Sequence, residues 1–318
     1  MFELIEEKFG KYHSSKLLNL ETSEYITLIT DYGLCLNELV LNSNGKLVNV
    51  LLNSSNPANF EETGIAMYSG VKLFPFPNRV KDAAYSFEGK RYSLPKNDPP
   101  RNHSLHGLVF DKIFTFKSFD KEHGIAEFQY NCDGKSEYFP FSYFLTVTIR
   151  LIKKGVEIKT TVLNTGNADM PMGDGWHPYV STGTRIDNLH IKIPSKQYFK
   201  TDNTLIPTLE KTTEKSFLSL SQLGDCEMDS CFLISATEGR ASTIIFDSEK
   251  NITIDLWQEA GSDKYNYVQY YTPKNRLSIA VEPMSCAPDA INNKIGLILL
   301  PPQKQKEFVF GINILEKQ

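Results

Sequence analysis

The sequence predicts an all-β chain, and three observations carry that prediction. Residues 141–151 set Phe141, Tyr143, Leu145, Val147, Ile149 and Leu151 on one side of an extended strand and Ser142, Thr146, Thr148 and Arg150 on the other. That is the two-residue period of a half-buried strand, and Phe308, Phe310, Ile312 and Ile314 repeat it near the C-terminus. The 20 Phe and 15 Tyr in 318 residues suit pleated surfaces. No long amphipathic helix, phosphate-binding loop or GxGxxG motif interrupts the pattern.

Length alone allows two ordinary domains or one large β domain. A net charge of -4, from 34 basic and 38 acidic residues without a basic tract, argues against nucleic acid as a partner. The apolar run from Ile295 to Leu300 is too short to span a bilayer, and the acidic start, Met1-Phe2-Glu3-Leu4-Ile5-Glu6-Glu7, lacks the apolar segment of an export signal. No membrane partner is expected. Cys35, Cys132, Cys226, Cys231 and Cys286 are odd in number and lack close paired spacing. They predict free thiols in a reducing, cytoplasmic compartment.

Taken in order, residues 26–29, 34–41 and 46–52 read as strands, and Asn44-Gly45 between apolar runs predicts a tight hairpin. Residues 53–64, polar with one proline, read as a loop. In Val71-Lys72-Leu73-Phe74-Pro75-Phe76-Pro77-Asn78-Arg79-Val80 the alternate prolines cannot donate to a ladder, so the run is expected as a sheet edge or an extended loop, holding Asn78 and Arg79 in a defined direction. Arg79, set beside aromatics and an amide, is a candidate clamp for a polar ligand. Residues 87–92 predict a second hairpin and 95–107 an irregular segment. His103 and His106 have a spacing found among metal ligands, but no cysteine or HExxH helix accompanies them, so no bound metal is expected. His106, next to Gly107, is the better ligand contact.

After the 141–151 strand and a Lys153-Lys154-Gly155 turn, residues 156–162 return as its partner and lead to Gly173-Asp174-Gly175-Trp176-His177-Pro178-Tyr179. Two glycines and a proline make a stiff, shaped loop, which raises His177 from an ordinary turn histidine to a candidate acid or base. Residues 189–193 resume the strand pattern, with His190 read as structural, and 198–213 read as a polar connection. Asp229 can point inward among Met228, Cys231 and Phe232. Strands are expected at 243–246, 252–257 and 267–271, and at 277–281 running into Glu282-Pro283. A carboxylate closing so apolar a strand must be paired, hydrogen-bonded or used.

Phe76-Pro77-Asn78-Arg79, Leu105-His106-Gly107, Trp176-His177-Pro178-Tyr179, Asp229 ahead of Cys231-Phe232, Val268-Gln269-Tyr270-Tyr271-Thr272 and Val281-Glu282-Pro283-Met284, followed by Pro288-Asp289-Ala290-Ile291-Asn292, together resemble the aldose 1-epimerase, or galactose mutarotase-like, family. The resemblance runs through nearly the whole chain in the family's order. It implies a β-supersandwich fold forming a single domain over 1–318, an intracellular sugar-binding cleft, no cofactor, and a small-molecule aldose as ligand. The expected assembly is a monomer or weak homodimer. Position by position, His177 resembles the family's general acid and Glu282 its general base. Arg79, His106 and Asp229 resemble the residues that hold sugar hydroxyls, with Asn78 and Gln269 in support. The chain departs from galactose mutarotases proper at Phe74-Pro75-Phe76-Pro77 and at the short Pro273-Lys274-Asn275-Arg276, so the reaction type carries over while galactose as the sugar does not.

Opening a cyclic hemiacetal needs a proton delivered to the ring oxygen and one removed from the anomeric hydroxyl. An imidazolium and a carboxylate on opposite sides of the anomeric carbon would do both and exchange roles on closure. Trp176 or another aromatic is a candidate for stacking on the CH-rich sugar face, although packing is the commoner role for such a side chain. Two other readings are a hexose-6-phosphate 1-epimerase, drawing on Arg79, Lys72, Arg101 and Lys112, and a non-catalytic sugar-binding protein on the same scaffold.

Overall fold

The computed structural model describes residues 1–215, 217–234 and 238–316. Among them strands dominate, the longest helical segment is the five-residue turn Phe60–Gly64, and no helix is long and apolar enough to cross a membrane. The chain opens with an antiparallel meander of five strands, Phe2–Phe9, Tyr12–Asn19, Tyr25–Ile29, Cys35–Ser43 and Lys46–Asn49. Ser43 pairs with Lys46, leaving Asn44 and Gly45 as a two-residue turn with φ of 52° and 79°, the left-handed geometry that Asn-Gly accepts.

Two larger sheets follow. The nine-stranded sheet runs Thr115–Asp120, Ile125–Asp133, Ser142–Ile152, Gly155–Asn164, Gln305–Leu315, Ile252–Ala260, Gly239–Asp247, His190–Lys192 and Ser221–Gln222. The C-terminal strand therefore lies in its middle, paired on both sides. The other sheet runs Pro207–Thr212, Tyr198–Thr201, Asp229–Leu233, Tyr267–Tyr271, Ile279–Met284, Gly175–Trp176 and Lys72–Leu73, with Tyr179–Val180 also on Ile279–Met284. Apolar faces of the two sheets pack together as a sandwich. Trp176 meets Phe310 at 5.8 Å between ring centroids, and Tyr265 meets Phe308 at 5.4 Å. Polar groups that enter this layer find partners across it: Trp176 Nε1 donates to Thr160 Oγ1 at 3.2 Å, and the hydroxyls of Thr243 and Tyr270 meet at 2.6 Å.

The strand period then decides which side chains face away from the sandwich. Phe232, Tyr270 and Val281 are buried in the core, so their neighbours Cys231, Gln269 and Glu282 point to the opposite face, where they are direct cross-strand partners. That face carries the site.

Three expectations need correction. Residues 53–64 are not simply a loop: Asn56 Oδ1 accepts from Asn59 N at 2.9 Å, and Pro57 opens a short helix, Pro57–Asn59, that runs into the π-type turn Phe60–Gly64. Residues 198–213 are a hairpin, Tyr198–Thr201 with Pro207–Thr212. Its second strand lies at the sheet edge with mostly exposed polar side chains, which removes the alternation that marks a strand. The strand holding Glu282 is Ile279–Met284, so Glu282 sits inside a strand instead of at its end, and Leu277 lies exposed before it. Lys72–Leu73 does take the expected edge position.

Candidate active site

The segment 173–179 is clamped by residues 70–75. His177 N donates to Val71 O at 3.1 Å, Gly70 N to His177 O at 2.9 Å, and Gly173 N to Pro75 O at 2.7 Å. The glycines here serve close approach: a Cβ on Gly175 would lie 2.9 Å from Pro77 Cβ and 3.0 Å from Pro283 O, and one on Gly173 would strike Cys286 Sγ. Opposite this clamp, His106 N donates to Asn78 O at 2.9 Å. Asn78 and His106 both adopt left-handed backbone, φ 60° and 64°, a conformation that side-chain-bearing residues hold only when their surroundings fix them. Gly107, at φ +81°, has no room for a Cβ because the Phe74 carbonyl occupies its place.

These segments and the outer face of the eight-stranded sheet enclose a cavity of about 260 Å³. Asn78, Arg79, His106, His177, Asp229, Gln269 and Glu282 all line it, joined by Tyr68, Arg101, Tyr179 and Tyr271. Its volume lies just under the range for drug-sized ligands and suits a single sugar ring. Trp176 does not line it. Its side chain is fully buried in the sandwich against Phe310 and Thr160, because consecutive residues on extended chain face opposite ways and His177 takes the cavity side.

At the cavity floor His177 Nε2 stands 3.3 Å from Glu282 Oε1, with both side chains almost fully buried. The two groups are therefore side by side, not opposed as expected. Desolvation pushes the Glu282 carboxyl well above the usual carboxylate range, a shift that nearby Asp229 reinforces and Arg79 opposes. Desolvation also brings His177 down to about 3. Burial thus disfavours the charged form of each group, an imidazolium at His177 as much as a carboxylate at Glu282. His106 is likewise held neutral, by burial first and then by His177 and Arg79. Burial raises Asp229, against the pull of Arg79 and Arg101, and its Oδ1 accepts from Gln269 Nε2 at 2.6 Å. The His177 ring stacks on Tyr179 at 4.9 Å and meets His106 edge-on at 4.8 Å.

Several buried polar atoms here have no protein partner: His106 Nδ1, His177 Nδ1, Gln269 Oε1 and Glu282 Oε2. Buried polar groups are ordinarily paired, so this concentration marks a surface shaped for a polar ligand. The metal-ligand pairing raised by the spacing of His103 and His106 does not form: His103 Nδ1 accepts from Asp82 N at 3.0 Å, while His106 groups instead with His177 and Glu282. Of the cations considered for a phosphate, Arg79 and Arg101 line the cavity, but both bind Asp98, at 2.9 Å each. Lys72 is fully buried on Asp174 at 2.6 Å, and Lys112, paired with Asp111, does not line the cavity.

Sequence reasoning did not single out Tyr68, Tyr179, Tyr271 or Asp98. The period-two rule reaches two of them, since Tyr179 follows His177 and Tyr271 follows Gln269 by two residues. Asp98, three residues before Arg101 and holding Arg79 from the far side of the cavity wall, carries no such signal.

The aldose 1-epimerase family model matches residues 16–313. The chain belongs to the aldose 1-epimerase family. YihR of Escherichia coli strain K12, itself uncharacterized, is 25% identical over 312 residues, spanning 94% of this chain and 93% of its own. A galactose mutarotase-like protein from Clostridium acetobutylicum superposes with a TM-score of 0.86 at 20% identity over 99% of each chain. A GalM/aldose epimerase homologue from C. elegans does so with 0.82 at 17% identity over the full length of both. At these identities the two structures speak for the fold, and that fold is the galactose mutarotase-like β-supersandwich. Membership of the family supports an aldose-epimerase type of activity and a small sugar as ligand at the family level.

Proposed function

We propose that the protein is an aldose 1-epimerase that interconverts the α and β anomers of a free aldose, with His177 and Glu282 as its proton-transfer pair. The observation that carries this reading is the 3.3 Å contact between the two groups on the floor of a sugar-sized cavity. The ring oxygen and the anomeric hydroxyl are bonded to the same carbon, so an acid and a base standing side by side can reach both from one face. The cycle starts with one proton on the pair, at Glu282. Glu282 then protonates the ring oxygen as His177 takes the hydroxyl proton, the C1–O5 bond opens, and rotation about C1–C2 presents the other face of the carbonyl. Closure runs the transfers backwards, so each group serves once as acid and once as base. Arg79, held by Asp98, and His106, Asp229 and Gln269 hold the ring hydroxyls, with Asn78 fixing the Arg79 segment through its contact to Arg79 N at 2.8 Å. Tyr179 and Tyr271 supply aromatic cover in the place first expected of Trp176.

Optical rotation of fresh α-glucose and α-galactose, extended to a wider aldose panel, tests the reading. Acceleration above buffer is expected for at least one sugar. None anywhere in the panel would remove it, and saturable sugar binding without acceleration would favour a non-catalytic binder.

A hexose-6-phosphate as substrate draws on one observation. A neighbouring cavity of about 390 Å³ shares Asp229 and Tyr271 with the first and is lined by Lys215 and Lys274. Anomer exchange of glucose against glucose 6-phosphate by NMR decides between them; the free sugar is expected to exchange faster, because both arginines of the main cavity are already engaged by Asp98. We place the protein in the cytoplasm, as a monomer or weak homodimer, and sedimentation tests the latter.

A further inference from the structure

We infer that His106, His177 and Glu282 form a binding site for a divalent transition metal such as Zn²⁺, and that the metal takes this site in competition with the sugar. Two imidazoles and a carboxylate are the donor set of open, three-ligand zinc sites. Their candidate ligand atoms all lie within 4.8 Å of one another. In a tetrahedral site with bonds of about 2.0–2.1 Å, two ligand atoms stand about 3.3–3.4 Å apart. The His177 Nε2 to Glu282 Oε1 distance is 3.3 Å, so one edge of that tetrahedron already exists. His106 stands edge-on to the His177 ring at 4.8 Å between centroids and is the candidate for the third corner.

A second, independent observation points to a ligand. All three side chains are at least nine-tenths buried, at 5%, 4% and 2% exposure, yet His106 Nδ1 and Glu282 Oε2 lack protein partners, and His177 Nε2 meets only Glu282. Arg79, whose charge acts on both Glu282 and His106, is bound by Asp98, and Asp229 adds a carboxylate to the same cavity. The fourth position opens on the cavity, where the sugar would lie. Zinc there would occupy the pair that moves protons, so it inhibits and takes no part in the reaction.

Two exposed pairs, His13 with Asp31 and His123 with Asp120, are the alternative weak metal sites. The experiment is calorimetric titration of chelator-treated protein with zinc chloride, using the wild type, His106→Asn and the double variant His13→Asn/His123→Asn. One zinc per chain is expected in the wild type and in the double variant, with affinity reduced at least tenfold in His106→Asn. Cobalt(II) added in place of zinc should give the intense visible bands of a four-coordinate site, lost in the same variant. Absence of a saturable site, binding undiminished in His106→Asn, or binding abolished in the double variant would each overturn the inference. These readouts need no activity, so they stand or fall apart from the epimerase proposal. Only the competition arm rests on that proposal: an aldose that the protein anomerises should weaken apparent zinc affinity, and unchanged affinity would overturn the claim that metal and sugar share the site.

Discussion

Asp174 and Glu282 are both buried carboxylates beside a buried nitrogen base, yet their surroundings differ in one decisive respect. Asp174 is completely partnered: Oδ1 accepts from Lys72 Nζ and Oδ2 from Tyr265 OH, each at 2.6 Å, while its backbone N donates to Ser285 Oγ at 2.8 Å. Lys72 gives its other protons to Gly175 O and Leu73 O, at 2.9 and 3.3 Å. Glu282 has a single contact to His177, and both residues keep an unpartnered polar atom. A closed polar network in a dry interior rigidifies what it touches, whereas an open one holds free energy in reserve for a ligand that can complete it. Asp174 and His177 belong to the same segment, 173–179, so the closed network fixes the chain from which one half of the open one projects.

That contrast predicts separate kinds of damage. The largest effect is expected for His177→Asn, which removes one proton-transfer group and should lower turnover by about 10²- to 10⁴-fold while thermal unfolding stays close to wild type. Anomer-exchange NMR and a melting curve read both quantities. Lys72→Met breaks the closed network and leaves Asp174 without its cation, at a cost of about 3–5 kcal/mol in stability, measured by denaturant unfolding. Molecules that remain folded should still turn over. If Lys72→Met instead abolished turnover without lowering stability, the division between scaffold and site would fail.

A smaller effect sharpens the same division through pH. The active form of the pair carries one proton. On the acid side kcat/KM should fall only as His177 takes a second proton, near its depressed value of about 3. On the alkaline side it should fall as the last proton leaves Glu282, well above the ordinary carboxylate range. The profile is then a broad plateau whose limbs belong to the pair. A narrow bell bounded by ordinary carboxylate and imidazole values would contradict the burial of the two groups.

Much of this was legible in the sequence, for reasons that can be named. Strands buried on one face, such as Ser142–Ile152, write their period into the residues, and Asn44-Gly45 writes its turn type. Seven of the eight candidate site residues line one cavity because each sits in a segment whose glycine, proline or strand context restricts it. Trp176 went to the core because adjacency to His177 carries no information about facing, while strand parity does. The hairpin at Tyr198–Thr201 and Pro207–Thr212 was hidden because an edge strand with exposed polar side chains resembles a loop. The contact between His177 and Glu282 joins residues 105 positions apart, and the closed network joins Lys72 to Asp174 across 102. Separations of that size are settled by sheet pairing, which no local pattern records. The side-by-side arrangement of His177 and Glu282, and the burial that disfavours the charged form of each, belong to that same layer of tertiary information.

Glu282→Gln, measured for turnover and stability on one sample, tests the central claim most directly. The amide keeps the shape of the carboxyl but cannot exchange the pair's proton, so anomer exchange should fall by about 10²- to 10⁴-fold. Stability should move the other way. A carboxyl whose folded pKa is raised contributes stability that is fully present below its unfolded value and is lost as pH rises toward the folded one. The variant, having no such group to lose, should therefore become progressively more stable than wild type as pH rises above the ordinary carboxylate range. Loss of turnover with equal or greater stability at neutral pH is the expected result. Near-wild-type turnover in well-folded Glu282→Gln, or a stability loss as large as that of Lys72→Met, would contradict it.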